Sequence, residues 1–294
     1  AAQMFWVMID NAPITGGCHY PYDCKGYETD CGNCPALLSD SKKHIAQRNF
    51  ALKKANMPAG LHILTFSSMD KLRAEKSSMY ANQTADVIFL PVNEQIFRPA
   101  LTSDARRYFN LPEDRKIIFF AATDPNERRK GYAELCEALK CILMSNENTD
   151  EYMFATAGKN PPKSGGGNSL HARHLGYLSE QEMVLAFNAA TLFVCPTLED
   201  SGPGILGQAM LCGTPTVAFA TGAAVDMIKT GYTGYLARRG DSADLAEGIK
   251  YVFNTSPEEY ATMRKNCRET GMKTCSFDAV GERLEKLLTR KIIL

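Results

Sequence analysis

The stretch "LFVCPTLEDSGPGILGQAMLCGTPTVAF", residues 192–219, decides how the rest of the chain is read. An apolar run, LFVC, reads as a buried strand that leads out into the adjacent acids Glu199 and Asp200. A Gly/Pro string follows, then a helix-like segment over about 204–212 and a second apolar strand at 215–219. In an open parallel sheet, ligands bind beyond the carboxyl ends of the strands, and residues 197–204 sit at such an end. The helix after them offers exposed N–H groups and the positive end of its dipole, a seat for phosphate. Gly202 and Gly204 let the backbone come close, and carboxylates accept hydrogen bonds from hydroxyls. Phosphate and hydroxyls together describe a sugar nucleotide. Gly202, Gly204 and Gly207 also fit G-x-G-x-x-G, but a dinucleotide fingerprint needs its first glycine directly after the strand, and LEDS intervenes. An acidic surface turn capping a helix is the plain alternative.

Outward from this stretch, apolar strand-like runs alternate with amphipathic helices. Strands are expected at 5–9, 61–66, 86–90, 116–121, 152–157, 173–176, 192–196, 215–219 and 233–237. Helices are expected at about 40–55, 68–80, 130–145, 179–189, 204–212, 224–229, 242–254, 257–273 and 277–289. SEQE at 179–182 fits a capping box, and SPEE at 256–259 adds Pro257 at the first helical position. Strands apolar throughout and separated by helices argue for parallel sheets covered on both faces. The chain is long for one core and suits two domains. Residues 91–116 show no strong element and read as the crossing between them, and 158–169 reads as a flexible Gly/Pro loop.

Lys+Arg and Asp+Glu are both 33, which argues against a globally basic nucleic-acid binder. No apolar run reaches the length of a membrane span, and the opening AAQMFWVMID lacks the features of a signal peptide. It reads as a strand already in progress, so the chain is expected to start inside its first domain, with Trp6 in the core. Of ten cysteines, six are scattered in apolar contexts and read as small buried hydrophobes. The other four, Cys18, Cys24, Cys31 and Cys34, form C-x5-C-x6-C-x2-C in a long loop. Four thiolates complete a closed tetrahedral zinc site, with His19 as a substitute ligand. Free or disulfide-bonded cysteines and an iron–sulfur cluster are the alternatives. His44 and His62 have no identifiable partner. The basic helix SKKHIAQRNFALKKA reads as a solvated face or as a contact for anionic lipid.

Several motifs resemble one family. PTLEDSGPGILGQAMLCGTPTVAF is similar to the nucleotide-binding signature P-S-x-x-E-x7-E-A-M-x-C-G-T-P-V-V-A of GT-B glycosyltransferases of family 4. RKGYAELCEAL (129–139), HLGYLSEQEMVLAFNAATLFVCPTLED (174–200) and TGYTGYLA (230–237) resemble further segments of that family's donor domain. FWVMIDNAPITGGCHYPYDCKGYETDCGNCPAL (5–37) resembles the front of a subgroup of the colanic-acid type, which builds surface polysaccharides.

The resemblance implies an α/β fold of GT-B type, with two Rossmann-like parallel-sheet domains and the N-terminal one incomplete. Residues 1–98 would form the acceptor-side domain, 99–275 the donor domain and 276–294 a C-terminal helix. It implies a retaining hexosyltransferase-like enzyme that uses a UDP- or GDP-sugar and no catalytic metal. The acceptor would be a glycan or lipid-linked, and the setting cytoplasmic, or peripheral at the inner face of the membrane. Asp200 would contact the donor sugar, Lys130 and Arg129 (or Arg128) the diphosphate, and Gln208 the ribose. The amides of Gly204, Ile205 and Leu206 would face the phosphates beside Gly202, and Tyr177 would lie near the base. Asp10, with Thr15, Gly16 and Gly17, would lie on the acceptor side. Two positions depart from the pattern. The family's His-Asp pair reads Ile9-Asp10, and its second Glu is Gln208. These departures motivate the rival reading of a catalytically impaired homologue that binds nucleotide or glycan, or serves as a scaffold. A sugar-nucleotide epimerase of the same fold is a third reading, disfavoured by the front segment.

Overall fold

The computed structural model describes residues 4–37, 39, 42, 44–81, 83–145, 149–161 and 171–292. The chain divides into two compact units, Ala1–Phe89 with Glu199–Gly202, and Leu90–Leu198 with Pro203–Leu294.

The first unit is built on three parallel strands, β1 (Phe5–Met8), β2 (His62–Thr65) and β3 (Thr84–Val87), in the order β1-β2-β3. Helix α1 (His44–Ala55) connects β1 to β2, and α2 (Ser68–Lys76) connects β2 to β3. Parallel neighbours need such crossovers. Met8, Ile14, Tyr27, Phe50, Ile63 and Tyr80 form the core. The expectation for Trp6 is corrected. It is 40% exposed, on a strand that pairs on one side only among the described strands. His62 is buried and does have partners, since its ring lies between Thr84 and Asp86 on the neighbouring strand.

The second unit contains α3 (Thr102–Tyr108), β4 (Lys116–Ala121), α4 (Tyr132–Met144), β5 (Tyr152–Ala157), β6 (His171–His174), α5 (Glu180–Ala189), β7 (Leu192–Cys195), α6 (Gly204–Leu211), β8 (Thr216–Phe219), α7 (Ala224–Met227), β9 (Gly234–Ala237), α8 (Ser242–Phe253), α9 (Pro257–Thr274) and α10 (Phe277–Ile292). Its six strands are parallel, in the order β6-β5-β4-β7-β8-β9. Numbered within the sheet this is 3-2-1-4-5-6, the doubly wound order that binds ligands where the strand order reverses, here between β4 and β7. The apolar runs KIIFFA and LFVC sit at the centre because such strands are covered on both faces. Ile118, Phe120, Leu139, Phe154, Val194 and Phe219 are all nearly inaccessible.

All nine expected strands are present, within two residues at each end except for the third, which was expected at 86–90 and runs Thr84–Val87. The crossing segment holds a helix that sequence reading missed, α3, whose Arg106 is buried. Its guanidinium donates to the carbonyls of Ala189, Pro112 and Glu113. Helix α3 has only seven residues and no side-chain cap, so its sequence carries no start signal. Of the expected loop 158–169, residues 162–169 lie outside the described residues. The two capping boxes form as read, Ser179 with Glu182 and Ser256 with Glu259. Ser256→Ala should therefore lower stability by about 1 kcal/mol, read as a fall in melting temperature of about 2–4 °C. An unchanged melting temperature would show that the packing of α9 alone sets its start.

Candidate functional site

In the second unit the switch point is built by two turns. After β4 the chain forms a 3-10 turn over Arg128–Lys130 and then enters α4 through Gly131, whose φ of 70° is left-handed. After β7 the chain runs through Pro196. The two turns are tied together by the Leu198 N–H, which donates to the Arg129 carbonyl at 2.8 Å. A Cβ on residue 131 would stand 1.7 Å from the Pro196 carbonyl oxygen. Glycine at 131 is thus required twice, by conformation and by space. The arrangement holds Lys130, half-buried, at the carboxyl ends of the two central strands. Arg129 pairs with Glu127, and Arg128 makes a two-pronged pair with Glu134 at 3.0 and 2.6 Å.

Helix α6 starts at Gly204, with Pro203 before it and no side-chain cap. The first N–H groups of a helix have no partner within it, and those of Gly204 and Ile205 open this one. The expectation for the third amide is corrected. Leu206 N–H donates to the Pro203 carbonyl at 3.0 Å and is already engaged. The glycines also have a different reason from the one expected. Added Cβ atoms would meet Leu90 Cδ2 at 2.8 Å from Gly204 and Cys275 Sγ at 2.9 Å from Gly207. Within the first unit, one on Gly202 would meet Phe66 Cβ at 2.4 Å. All three glycines press against protein neighbours, so the G-x-G-x-x-G match is a packing pattern. Gln208 is half-buried on α6, and Tyr177 is exposed on the turn after β6.

Residues 199–202 group with the first unit, and the two acids there divide their work. Glu199 is inaccessible and grips Arg73 of α2 with both oxygens, at 2.6 and 3.0 Å. Arg73 also meets the buried Asp70 at 3.2 Å. Burial, the largest cause, pushes the Asp70 carboxyl up, against the lowering effects of Ser201, Arg73 and Asn11. Glu199 is therefore a structural acid. Asp200 is half-buried and accepts from the Gly202 N–H at 3.4 Å. Arg73 and Asp70 carry no local signal, since Arg73 and Glu199 are 126 residues apart in sequence.

Near the end of β1, Asp10 is pinned on both oxygens. Its Oδ1 accepts from the Ala12 N–H at 2.7 Å, and its Oδ2 meets His19 Nδ1 at 2.8 Å. Thr15 accepts from the Gly17 N–H and donates to the Cys18 carbonyl, while Lys53 Nζ donates to the carbonyls of Ala12 and Thr15. Gly16 is packed against α1, where a Cβ would lie 2.3 Å from the Ala46 carbonyl oxygen.

Cys18, Cys24, Cys31 and Cys34 all line one cavity of about 690 Å³ in the first unit, with Tyr20, Tyr22 and Tyr27. The expected zinc site is corrected. Among the described residues no three His, Cys, Asp or Glu groups are placed to hold a metal ion. Three of the sulfurs have separate backbone partners. Cys18 Sγ donates to the Tyr20 carbonyl, and Cys24 and Cys31 Sγ accept from the N–H groups of Gly26 and Gly16. Burial, the largest cause, pushes the Cys18 and Cys31 thiols up. Of the scattered cysteines, Cys141 is exposed and the other five are buried, as expected of small apolar side chains.

A doubly wound sheet with a basic turn and a helix start at its switch point is an arrangement in which α/β proteins can seat a ligand. Residues 114–255 match the family described as Glycosyl transferases group 1. Among curated proteins, a D-inositol 3-phosphate glycosyltransferase of Nocardioides sp. is 27% identical over 184 residues, 57% of this chain and 40% of the relative. The 2-deoxystreptamine glucosyltransferase of Streptomyces kanamyceticus is 24% identical over 229 residues, 74% of this chain and 57% of the relative. The chain thus spans about half or less of the length of these relatives. In fold it is similar to the sucrose-phosphate synthase of Thermosynechococcus elongatus, with a TM-score of 0.68, 20% identity, and 87% of this chain and 64% of that one covered. It is also similar to Anabaena HepE in complex with UDP-glucose, with a TM-score of 0.66, 18% identity, and 84% and 69% covered. The fold class is that expected, α/β with parallel sheets as in GT-B glycosyltransferases. Among the described residues no helix is long and apolar enough to cross a membrane.

Proposed function

We propose that the chain is a glycosyltransferase that takes a sugar from a UDP- or GDP-sugar, with retention at the anomeric carbon. It passes the sugar to a glycan or lipid-linked acceptor in surface polysaccharide assembly, in the cytoplasm or at the inner face of the membrane. The observation that carries the reading is the tie between Leu198 and Arg129, because it sets Lys130 at the switch point of a doubly wound sheet. The departure of a nucleoside diphosphate develops negative charge. Lys130, Arg129 and the first amides of α6 offer preorganised positive groups, the kind of arrangement that supplies the largest catalytic effect. Asp200 accepts hydrogen bonds from donor hydroxyls, and Gln208 offers one amide oxygen to the ribose. Asp10 serves the acceptor. The bound UDP-glucose of HepE supports the choice of donor class.

Calorimetry with a panel of UDP- and GDP-sugars tests this reading. At least one should bind, and Lys130→Ala and Asp200→Asn should each weaken it about 10–100-fold, the loss of a hydrogen bond to a charged group. Gln208→Glu should tighten it. A wild-type chain that binds no member of the panel would end the reading. One that binds but transfers nothing to any acceptor would favour the impaired homologue, to which Ile9 and Gln208 point.

A further inference from the structure

The position that would pair with Asp10 in sequence is Ile9, whose side chain cannot hydrogen-bond and is 70% exposed. The structure nonetheless gives Asp10 a histidine. His19 comes back from the following loop and places Nδ1 at 2.8 Å from Asp10 Oδ2, with the two side chains 65% and 18% exposed. The return is held by backbone as well, since the Asn11 N–H donates to the His19 carbonyl at 3.0 Å. The Thr15 and Lys53 bonds described above fix the rest of the loop. An exposed imidazole is ordinarily free to rotate in solvent, whereas this one is fixed at one nitrogen by a carboxylate whose other oxygen is also fixed. A carboxylate only accepts, so Nδ1 carries a proton, and in the neutral ring Nε2 keeps its lone pair. Its natural partner is a hydroxyl. The chain neighbours of His19, Cys18 and Tyr20, line the 690 Å³ cavity, whereas the ring itself is not part of that lining and stands open to solvent, where a molecule of sugar size can reach it.

We infer that His19, oriented by Asp10, is a hydroxyl-binding residue of the acceptor side, in the place that Ile9 leaves without a polar group. The inference rests on the acceptor-side reading of Asp10 proposed above. Nε2 accepts a hydrogen bond from a sugar hydroxyl, and Asp10 is a positioning residue that sets the tautomer.

Two measurements on the full chain test it. Nitrogen-15 NMR of the histidine side chains reads the tautomer. His19 should carry its proton on Nδ1 in the wild type and lose that preference in Asp10→Ala. Ligand-observed NMR with methyl α-glucoside, α-galactoside and α-mannoside reads binding. At least one should bind the wild type and should bind about tenfold more weakly to His19→Phe and to Asp10→Ala, while His19→Gln, which keeps an acceptor atom, recovers part of the loss. Equal binding by wild type and His19→Phe, or no binding of any of the three, overturns the inference, as does an Nε2-protonated ring in the wild type. A wild type that shows the expected tautomer and binding but takes no nucleotide sugar keeps the inference and removes the transferase reading.

Discussion

Arg73→Ala is expected to destabilise the chain by about 3–5 kcal/mol, because removing one partner of a buried ion pair leaves the other charge uncompensated. The guanidinium is 9% exposed, and both carboxylates that it meets, Glu199 and Asp70, are fully buried. Arg73 also donates to the Tyr22 carbonyl at 3.4 Å, so its loss strands three acceptors together. The effect has a pH signature. The Asp70 carboxyl is held above its ordinary value, chiefly by burial, and Arg73 opposes that rise. A carboxyl raised in the folded state contributes stability that is present below its unfolded value and lost as pH rises through the folded one. Without Arg73 the Asp70 value moves higher still, so the deficit of the variant should be larger at pH 7 than at pH 5. Urea unfolding at both pH values measures this. A loss under about 1 kcal/mol, or a deficit that grows on acidification, would refute the account. Arg73→Met combined with Glu199→Leu should recover part of the loss, since an apolar replacement of a whole buried pair is often close to neutral.

Gly131→Ala is expected to be nearly as damaging and to act on the other unit. The residue has φ 70° and ψ 23°, and its new methyl group would lie 1.7 Å from a backbone oxygen. One of the two turns must move, which breaks the bond between Leu198 and Arg129. A loss of about 3 kcal/mol or more follows from strain at a special backbone position combined with overpacking. Because Lys130 is the neighbouring residue, nucleotide-sugar affinity should fall more than tenfold even under conditions where the variant is folded. Gly281→Ala is the control. It lies on α10 with nothing within 4 Å of the added carbon, so it should be neutral or stabilising by up to about 1 kcal/mol. A Gly131→Ala chain with wild-type stability and donor affinity would show that the switch-point turns do not carry the site.

Much of the candidate site was legible because its signals are local. Strand, acid pair, glycine string and helix follow one another within 28 residues, 192–219, and their order alone places them at the end of a parallel strand. Lys130 was singled out differently, by the resemblance of the segment RKGYAELCEAL, and no local signal marks it. The roles of the individual groups were less legible. Glu199 and Asp200 are neighbours in sequence and look alike there, yet Arg73 captures Glu199 with both oxygens while Asp200 accepts from the Gly202 N–H. The four cysteines have the spacing of a metal site, but spacing does not state where each sulfur points, and here backbone groups take three of them.

From its sequence alone the protein could be assigned an α/β architecture, the succession of strands and helices, the helix caps at Ser179 and Ser256, and the neutral charge balance. All of these follow from periodicity and from contacts within a few residues. Only the tertiary structure decided that Arg73 neutralises Glu199, that His19 rather than residue 9 joins Asp10, and that the glycines of 202–207 pack against protein. Those outcomes depend on which distant side chains the folded backbone brings within about 3 Å. A hydrogen bond or an ion pair weakens so steeply with distance and angle that no reading of residue order can settle it.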